Sequence, residues 1–238
     1  MKTTWLRALA GIAVLLITAQ ANATIIAIAD SNISSAGNST FFDNIFNGSD
    51  SYGRLAADDS YTYNWTLLNW NANIAAASSS YSQGALSAAA LSGVEWLIAS
   101  TNVAYTAAEI SIVSDYLSGG GNLIVVGEGP VYSNENTNAN ALLSAIGSSL
   151  SFTDGGSAAV SPFLPVGSDP LLTGVSEFYG NYTGSVASGG SALFADVNGM
   201  VIASVERAVA VPEPGILGLL GAGLLAFGVS RRRRRTES

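Results

Sequence analysis

The last 28 residues limit which part of the chain can form a globular domain, because their composition suits a membrane rather than a protein core. An uncharged run of small and aliphatic residues covers positions 216–229, and five consecutive arginines follow it. Such a run prefers hydrocarbon to water, and arginines beside it stay on the cytoplasmic side. The pattern predicts a single C-terminal transmembrane helix over about residues 214–230, with the preceding chain outside the inner membrane.

The predicted helix is short for a membrane span. Fourteen apolar residues rise only about 21 Å, whereas the hydrocarbon core is roughly 30 Å thick. The helix must recruit neighbouring residues or thin the bilayer locally. This length favours transient inner-membrane insertion over permanent anchoring.

A proline-rich tetrapeptide, Val211-Pro212-Glu213-Pro214, precedes the apolar run, and the cluster Arg231, Arg232, Arg233, Arg234 and Arg235 closes it. This order closely resembles the PEP-CTERM sorting signal of exopolysaccharide-producing Gram-negative bacteria, over residues 211–235. The resemblance implies that a membrane-embedded exosortase recognises the tripeptide, removes the tail and passes the protein to the cell surface or extracellular matrix. An ordinary anchor with a chance Pro-Glu-Pro is the alternative.

The N-terminus is typical of a secretory signal peptide. Lys2 and Arg7 precede an uncharged run at residues 8–19, which is shorter than the roughly 20 residues of a membrane span. Ala21 and Ala23 form a small-x-small cleavage site. We therefore predict that residues 1–23 direct export through the Sec machinery and that the mature chain begins at Thr24.

The remaining segment, residues 24–210, is long enough for one domain with its own core. It has two basic residues, Arg54 and Arg207, and fifteen acidic ones, which gives a net charge of −13. Nucleic acid is therefore not expected as a partner, since binding it depends on Lys and Arg. Neutral polysaccharides and cations are compatible with this charge.

The chain contains no cysteine and no histidine. Disulfides, thiolate metal sites and cysteine nucleophiles are thereby excluded. No stretch matches the spaced carboxylates of an EF-hand loop, and we predict neither a cofactor nor a bound metal.

Apolar runs separated by helical patterns predict an α/β fold. Buried strands are expected at residues 24–29, 94–99 and 123–126 and near residue 150, and another strand at residues 61–68. Helices are expected at residues 40–46, 83–91, 106–118 and 139–146, and a hairpin at residues 191–205. Strands that are apolar on both faces favour a mostly parallel sheet covered on two sides. The prediction is a three-layer, flavodoxin-like domain.

Three segments, residues 105–109, 116–127 and 168–175, resemble the class I glutamine amidotransferase-like fold, in particular its non-catalytic envelope members. The enzymes of that family place a cysteine between two glycines at the strand-to-helix turn. This chain has Gly127-Glu128-Gly129 there. Because it also lacks histidine, a Cys-His mechanism is excluded. The resemblance implies a non-catalytic domain, and we expect no enzymatic activity.

Glu128 is the candidate ligand residue, because it follows a strand of a parallel sheet where ligands usually bind. We expect it to be exposed on a tight turn. Asp30, at the end of the first strand, is its best partner by topology. The alternative is a hydrolase that attacks matrix polymers with this carboxylate pair or with a serine.

Two further hypotheses concern other residues. Aromatic side chains can stack on sugar rings, and one region concentrates them: Tyr52, Tyr61, Tyr63, Trp65 and Trp70. Calcium is the second possibility, at Asp58-Asp59 or at Asn134-Glu135-Asn136. The sequence favours an exported binding or structural protein, associated with exopolysaccharide or biofilm.

Overall fold

A computed structural model gives the fold of the central domain. It describes residues 23–30, 33, 35–46, 52–55, 82–84, 86–129, 133–154, 162–180 and 184–207. The helices are α1 (Ser39–Phe46), α2 (Ala107–Ser118) and α3 (Ser133–Ala145), with 3-10 turns at Ala36–Asn38 and Pro170–Leu172. The strands are β1 (Thr24–Ile28), β2 (Tyr52–Leu55), β3 (Ser82–Gly84), β4 (Trp96–Ser100), β5 (Asn122–Val126), β6 (Ser151–Thr153), β7 (Leu164–Pro165), β8 (Ser185–Ser188), β9 (Ser191–Ala195) and β10 (Val201–Arg207).

Eight strands form one mixed sheet in the order β3-β2-β4-β5-β1-β10-β9-β7. The pairs from β3 to β1 are parallel, and those from β1 to β7 are antiparallel. Strands β6 and β8 form a separate antiparallel pair. The α/β prediction is thus confirmed in its parallel half, whereas the sheet as a whole is mixed.

The strand order differs from that of a flavodoxin-like sheet. Such a sheet runs 2-1-3-4-5, with the first strand beside the second and third. Here β1 lies between β5 and β10. Apolar runs indicate which strands are buried but not which strands pair, so the sequence pattern could not give this order.

Side chains on the two faces of the sheet enter two different hydrophobic clusters. One face packs against α1 and the Pro170–Leu172 turn, and the other against α2, α3 and the β6-β8 pair. Phe41 is central to the first cluster, with edge-on contacts to Phe42, Phe178 and Phe194 at ring-centroid distances of 5.3, 5.7 and 5.0 Å. The predicted covering of the sheet on both faces is present.

Several local predictions are confirmed. Helix α2 begins with the expected capping box, in which Thr106 Oγ1 accepts from the Glu109 amide at 3.3 Å and Glu109 Oε2 accepts from the Thr106 amide at 2.7 Å. Strand β5 is buried, and β9 and β10 form the predicted hairpin. Asp196 Oδ1 fixes the hairpin turn by accepting from the amides of Asn198 and Met200, each at 2.8 Å.

Two helix predictions need correction. The alanine-rich stretch at residues 83–91 is not a helix: Ser82–Gly84 pairs with β2, and residues 88–93 form hydrogen-bonded turns. Too few residues remain there for a stable helix, and only Leu91 among residues 86–93 is buried. Helix α3 begins at Ser133, inside the expected Asn-rich loop.

Predictions at both ends of the chain, and one in its interior, lie outside the described residues. These are the signal peptide apart from Ala23, the strand at residues 61–68, and the tail with its transmembrane helix. Within the part of the chain that the structure describes, no helix has the length and apolar character needed to cross a bilayer.

Candidate functional site at the carboxyl edge of the sheet

The parallel strands bring the two predicted site residues to the same edge of the sheet. Asp30 follows β1 and Glu128 follows β5, and these neighbouring strands pair Ile28 with Val126. Each carboxylate residue therefore lies two positions beyond a paired residue. The Gly127 amide still donates to the Ile28 carbonyl at 2.8 Å, so Asp30 and Glu128 both follow the ends of neighbouring, hydrogen-bonded strands. We call this region the carboxyl edge.

Both carboxylate residues are buried, which differs from the exposed turn expected for Glu128. The exposed fraction is 0% for Asp30 and 3% for Glu128. A buried carboxylate is costly unless hydrogen bonds or charges compensate it. Glu128 Oε1 accepts a hydrogen bond of 2.9 Å from the Gly129 amide. Glu128 is therefore built into the edge rather than displayed on a solvated turn.

Asn136, in the first turns of α3, holds the backbone of Glu128 from both sides. Its Oδ1 accepts from the Glu128 amide at 3.0 Å, and its Nδ2 donates to the Glu128 carbonyl at 2.7 Å. The same Nδ2 donates to Asp154 Oδ1 at 2.9 Å. Asn136 is only 2% exposed. This side chain ties α3 to the end of β5.

The glycine before Glu128 makes that approach possible. A Cβ at Gly127 would lie 2.6 Å from Asn136 Oδ1. On the other side, a Cβ at Gly184 would lie 2.7 Å from the Glu128 carbonyl oxygen. Glycines at both positions let three chain segments meet tightly at Glu128.

Thr101 and Asn138 complete the edge on the side of β4. Thr101 follows β4 and is fully buried; its Oγ1 donates to the Val126 carbonyl at 2.7 Å. Asn138 Nδ2 donates to the Thr101 carbonyl at 2.8 Å. Neither residue, nor the role of Asn136, was predicted from the sequence. The available signal was the alternation of asparagines at positions 134, 136, 138 and 140.

These contacts explain why an Asn-rich stretch is helical. Asparagine is a poor helix former because its side chain competes for the backbone. In α3 the asparagine side chains bond to other segments instead of their own backbone. Asn140, for example, donates to the Phe152 carbonyl at 2.9 Å and accepts from the Phe152 amide at 2.7 Å. Tertiary hydrogen bonds thus override the local propensity.

The edge offers carboxylate and amide groups but no thiol or imidazole. Such groups hydrogen-bond hydroxyl-rich ligands, and a pair of carboxylates separated by about 5 to 9.5 Å is the minimal set for acid-base hydrolysis of glycosides. Within the described ranges, no group of three acidic side chains is placed to hold a metal ion. Of the calcium hypothesis, Asn134-Glu135-Asn136 is helical and Asp58-Asp59 lies outside the described residues.

A separate groove of about 370 Å³ lies beside the C-terminal half of α2, away from the carboxyl edge, and its walls include Leu91, Ile112, Asp115, Tyr116 and Gly121. Tyr116 is held rigidly there, because its hydroxyl donates to the Asn122 carbonyl at 3.1 Å and accepts from the Asn122 amide at 3.2 Å. Burial raises the pKa of the Tyr116 hydroxyl above its ordinary value. The groove does not include Asp30 or Glu128.

Of the remaining predicted residues, the structure describes Tyr52 and Ala23. The backbone of Tyr52 starts β2, and the other members of the aromatic group lie outside the described residues. Ala23 is fully buried just before β1, and the Thr24 amide donates to Asn122 Oδ1 at 2.9 Å. Ala21 and the sorting residues of the tail are outside the described part.

Comparison with known protein families bears on the tail. Residues 210–235 match the family described as the PEP-CTERM protein-sorting motif. The chain carries a PEP-CTERM sorting motif. This confirms the resemblance seen in Val211-Pro212-Glu213-Pro214 and the arginine cluster, and it supports export and recognition by an exosortase. No curated protein and no solved structure matches the chain.

Proposed function

We propose that this chain is an exported protein that an exosortase sorts to the cell surface or extracellular matrix, where its domain acts in binding or structure alongside exopolysaccharide. The observation that carries the proposal is the sorting motif at residues 210–235. A signal peptide at residues 1–23 would start export through the Sec machinery. The tail would then hold the protein transiently in the inner membrane.

The physical properties of the tail suit this route. The apolar run at residues 216–229 is uncharged, and the five arginines after it resist transfer across the membrane. A short span with a strong positive stop holds the chain while the enzyme acts on Pro212-Glu213-Pro214. Cleavage there removes the apolar run and the arginines together, which frees the domain.

Replacing Glu213 tests this route, with Glu237 as a matched control that lies beyond the arginines. In the native host, wild type and Glu237→Ala should be recovered from the extracellular fraction without the tail. Glu213→Ala should stay in the membrane fraction with the tail attached. Equal release of Glu213→Ala and wild type would contradict sorting through this motif.

For the domain, the carboxyl edge supports a role in binding a neutral, hydroxyl-rich polymer. The net charge of −13 over residues 24–210 disfavours polyanions. The exposed Asp154 and the half-buried Asn138 border this edge, and carboxylates and amides are suitable hydrogen-bonding partners for sugar hydroxyls. The chain has neither cysteine nor histidine, so a binding role needs no account of a Cys-His mechanism.

Glu128→Gln tests the binding role, because it keeps the shape of the side chain and removes its charge. Glu206→Gln, on the opposite side of the domain, is the matched control. We expect Glu128→Gln to weaken retention on the host's exopolysaccharide, with Glu206→Gln unaffected. Equal retention of all three proteins, with unchanged circular dichroism, would remove the carboxyl edge from consideration.

The alternative function is a hydrolase that acts on matrix polymers through carboxylates or a serine. The observation that favours it is the position of Asp30 and Glu128 at the ends of adjacent strands. The test is the release of new reducing ends from exopolysaccharide by wild type, Asp30→Asn and Glu128→Gln. Release by wild type that both substitutions abolish would establish the hydrolase and overturn the non-catalytic proposal.

A further inference from the structure

The first and last described strands bring both ends of the domain to one side. Thr24, which begins β1, pairs with Arg207, which ends β10. Helix α2 runs back from the end of β4 to the start of β5, so Ser118 and Asn122 lie on this side as well. We call it the tail-side pole, defined by Thr24, Ser118, Asn122, Glu206 and Arg207.

The carboxyl edge lies at the opposite end of the same strands. Asp30 is six residues after Thr24, which corresponds to about 20 Å along an extended chain. Helix α2, with twelve residues, separates its own two ends by about 18 Å. The candidate site and Arg207, the last described residue before the sorting tail, are therefore on opposite sides of the domain.

The connection between the domain and the membrane signal is short. Three residues separate Arg207 from Val211, and six separate it from Pro214. Even fully extended, the chain from Arg207 to Pro214 reaches at most about 25 Å. Turning the domain over to bring the carboxyl edge to the bilayer would use almost all of this length and leave the tether no freedom.

We propose that, while the tail is attached, the tail-side pole lies against the lipid headgroup surface of the inner membrane and the carboxyl edge faces away from it. This inference rests on the sorting function proposed above. The pole is held there by the tether rather than by attraction, because it carries Glu206 and an Arg207 that is already paired with Asp169 at 2.7 Å. The membrane therefore does not cover the carboxyl edge while the tail is attached.

The absence of cysteine from the sequence makes a clean labelling experiment possible. Single cysteines at Ala108 and Ser118 would report on the two ends of α2, since both residues are exposed. Each is placed in the full-length Glu213→Ala chain, which should remain membrane-held. Spheroplasts are then treated with a bulky polyethylene-glycol maleimide, and the labelling rates are compared with those after detergent release.

In the membrane, Ser118→Cys should react several-fold more slowly than Ala108→Cys, and detergent should remove the difference. A glycine-serine insert of about 20 residues after Ala210, with a mean reach of about 25 Å, should also remove it. Equal rates in membrane-held protein would overturn the orientation while leaving sorting intact. Absence of any membrane-held form would overturn both, and the fractionation of Glu213→Ala reports that separately.

Discussion

The two ends of the parallel strands use polar side chains in opposite ways. At the carboxyl edge, Asp30, Thr101, Glu128 and Asn136 are at most 3% exposed. At the tail-side pole, polar contacts are nearer to solvent: Glu206 accepts from Ser149 Oγ at 3.0 Å, and the Arg207 side chain that bonds Asp169 is 47% exposed. One end is a buried polar network, and the other is a set of surface pairs.

This difference separates polar groups that need a hydrogen-bonding partner within the protein from polar groups that water can hydrate. Each buried polar group loses its water and has to find a protein partner, so deleting one partner leaves another group unsatisfied. When a surface pair breaks, water hydrates both groups, so the pair contributes little to the free energy of unfolding. Large effects of substitution should therefore concentrate at the carboxyl edge.

The largest effect is expected for Asn136→Ala. It removes three hydrogen bonds and leaves the amide and carbonyl of Glu128 buried without this partner. We expect the free energy of unfolding to fall by about 3 kcal/mol, measured by urea denaturation of the mature protein. Ser144→Ala, at an exposed position of the same helix, is the control. A loss below about 1 kcal/mol would mean that the edge is not a closed network.

Tyr116→Phe tests a half-buried contact near the tail-side pole. At pH 7 it should cost about 1 to 2 kcal/mol, because the hydroxyl loses both hydrogen bonds to Asn122.

The same substitution has a pH signature. Burial raises the pKa of Tyr116 in the folded state, whereas the unfolded chain titrates near the ordinary value of about 10. The unfolded state therefore loses this proton first, and stability falls as the pH rises above about 10. The decline should be shallower in Tyr116→Phe than in wild type. Parallel declines in denaturation series across this range would contradict the assignment.

Thr106→Ala tests whether position or burial determines the size of the loss in stability, because the capping box of α2 is close to the carboxyl edge but exposed to solvent. Loss of an N-cap costs about 1 kcal/mol. A shift in the thermal midpoint consistent with that value would show that burial, rather than position, determines the large effect at Asn136. A loss as large as that of Asn136→Ala would remove the distinction.

Arg207→Ala should have the smallest effect. Its ion pair with Asp169 is solvent-exposed on the arginine side, and such pairs contribute about 0 to 1 kcal/mol. The small loss should shrink further in high salt, because salt screens exposed charges. A loss that persists at high salt would show that the tail-side pole depends on more than surface contacts.

The features predicted correctly from the sequence are local, whereas the features missed depend on tertiary contacts. Apolar runs and the Thr106-Glu109 spacing predicted β5, α2 and the β9-β10 hairpin, because these depend on local pattern. The pairing of β1 with β10 joins residues nearly the whole domain apart and has no local signal. Asp30 and Glu128 were proposed from their positions after strands and remain a prediction, whereas Asn136 and Thr101 were missed because their roles depend on tertiary hydrogen bonds alone.

The central claim is that the tail is a processing signal, and the intact mass of the native protein tests it most directly. Protein recovered from the host's membrane and extracellular fractions should include a released form that begins at Thr24 and ends between Val211 and Pro214. If all recovered protein still carries Arg231 to Arg235, the tail is a permanent anchor and the account of sorting is contradicted.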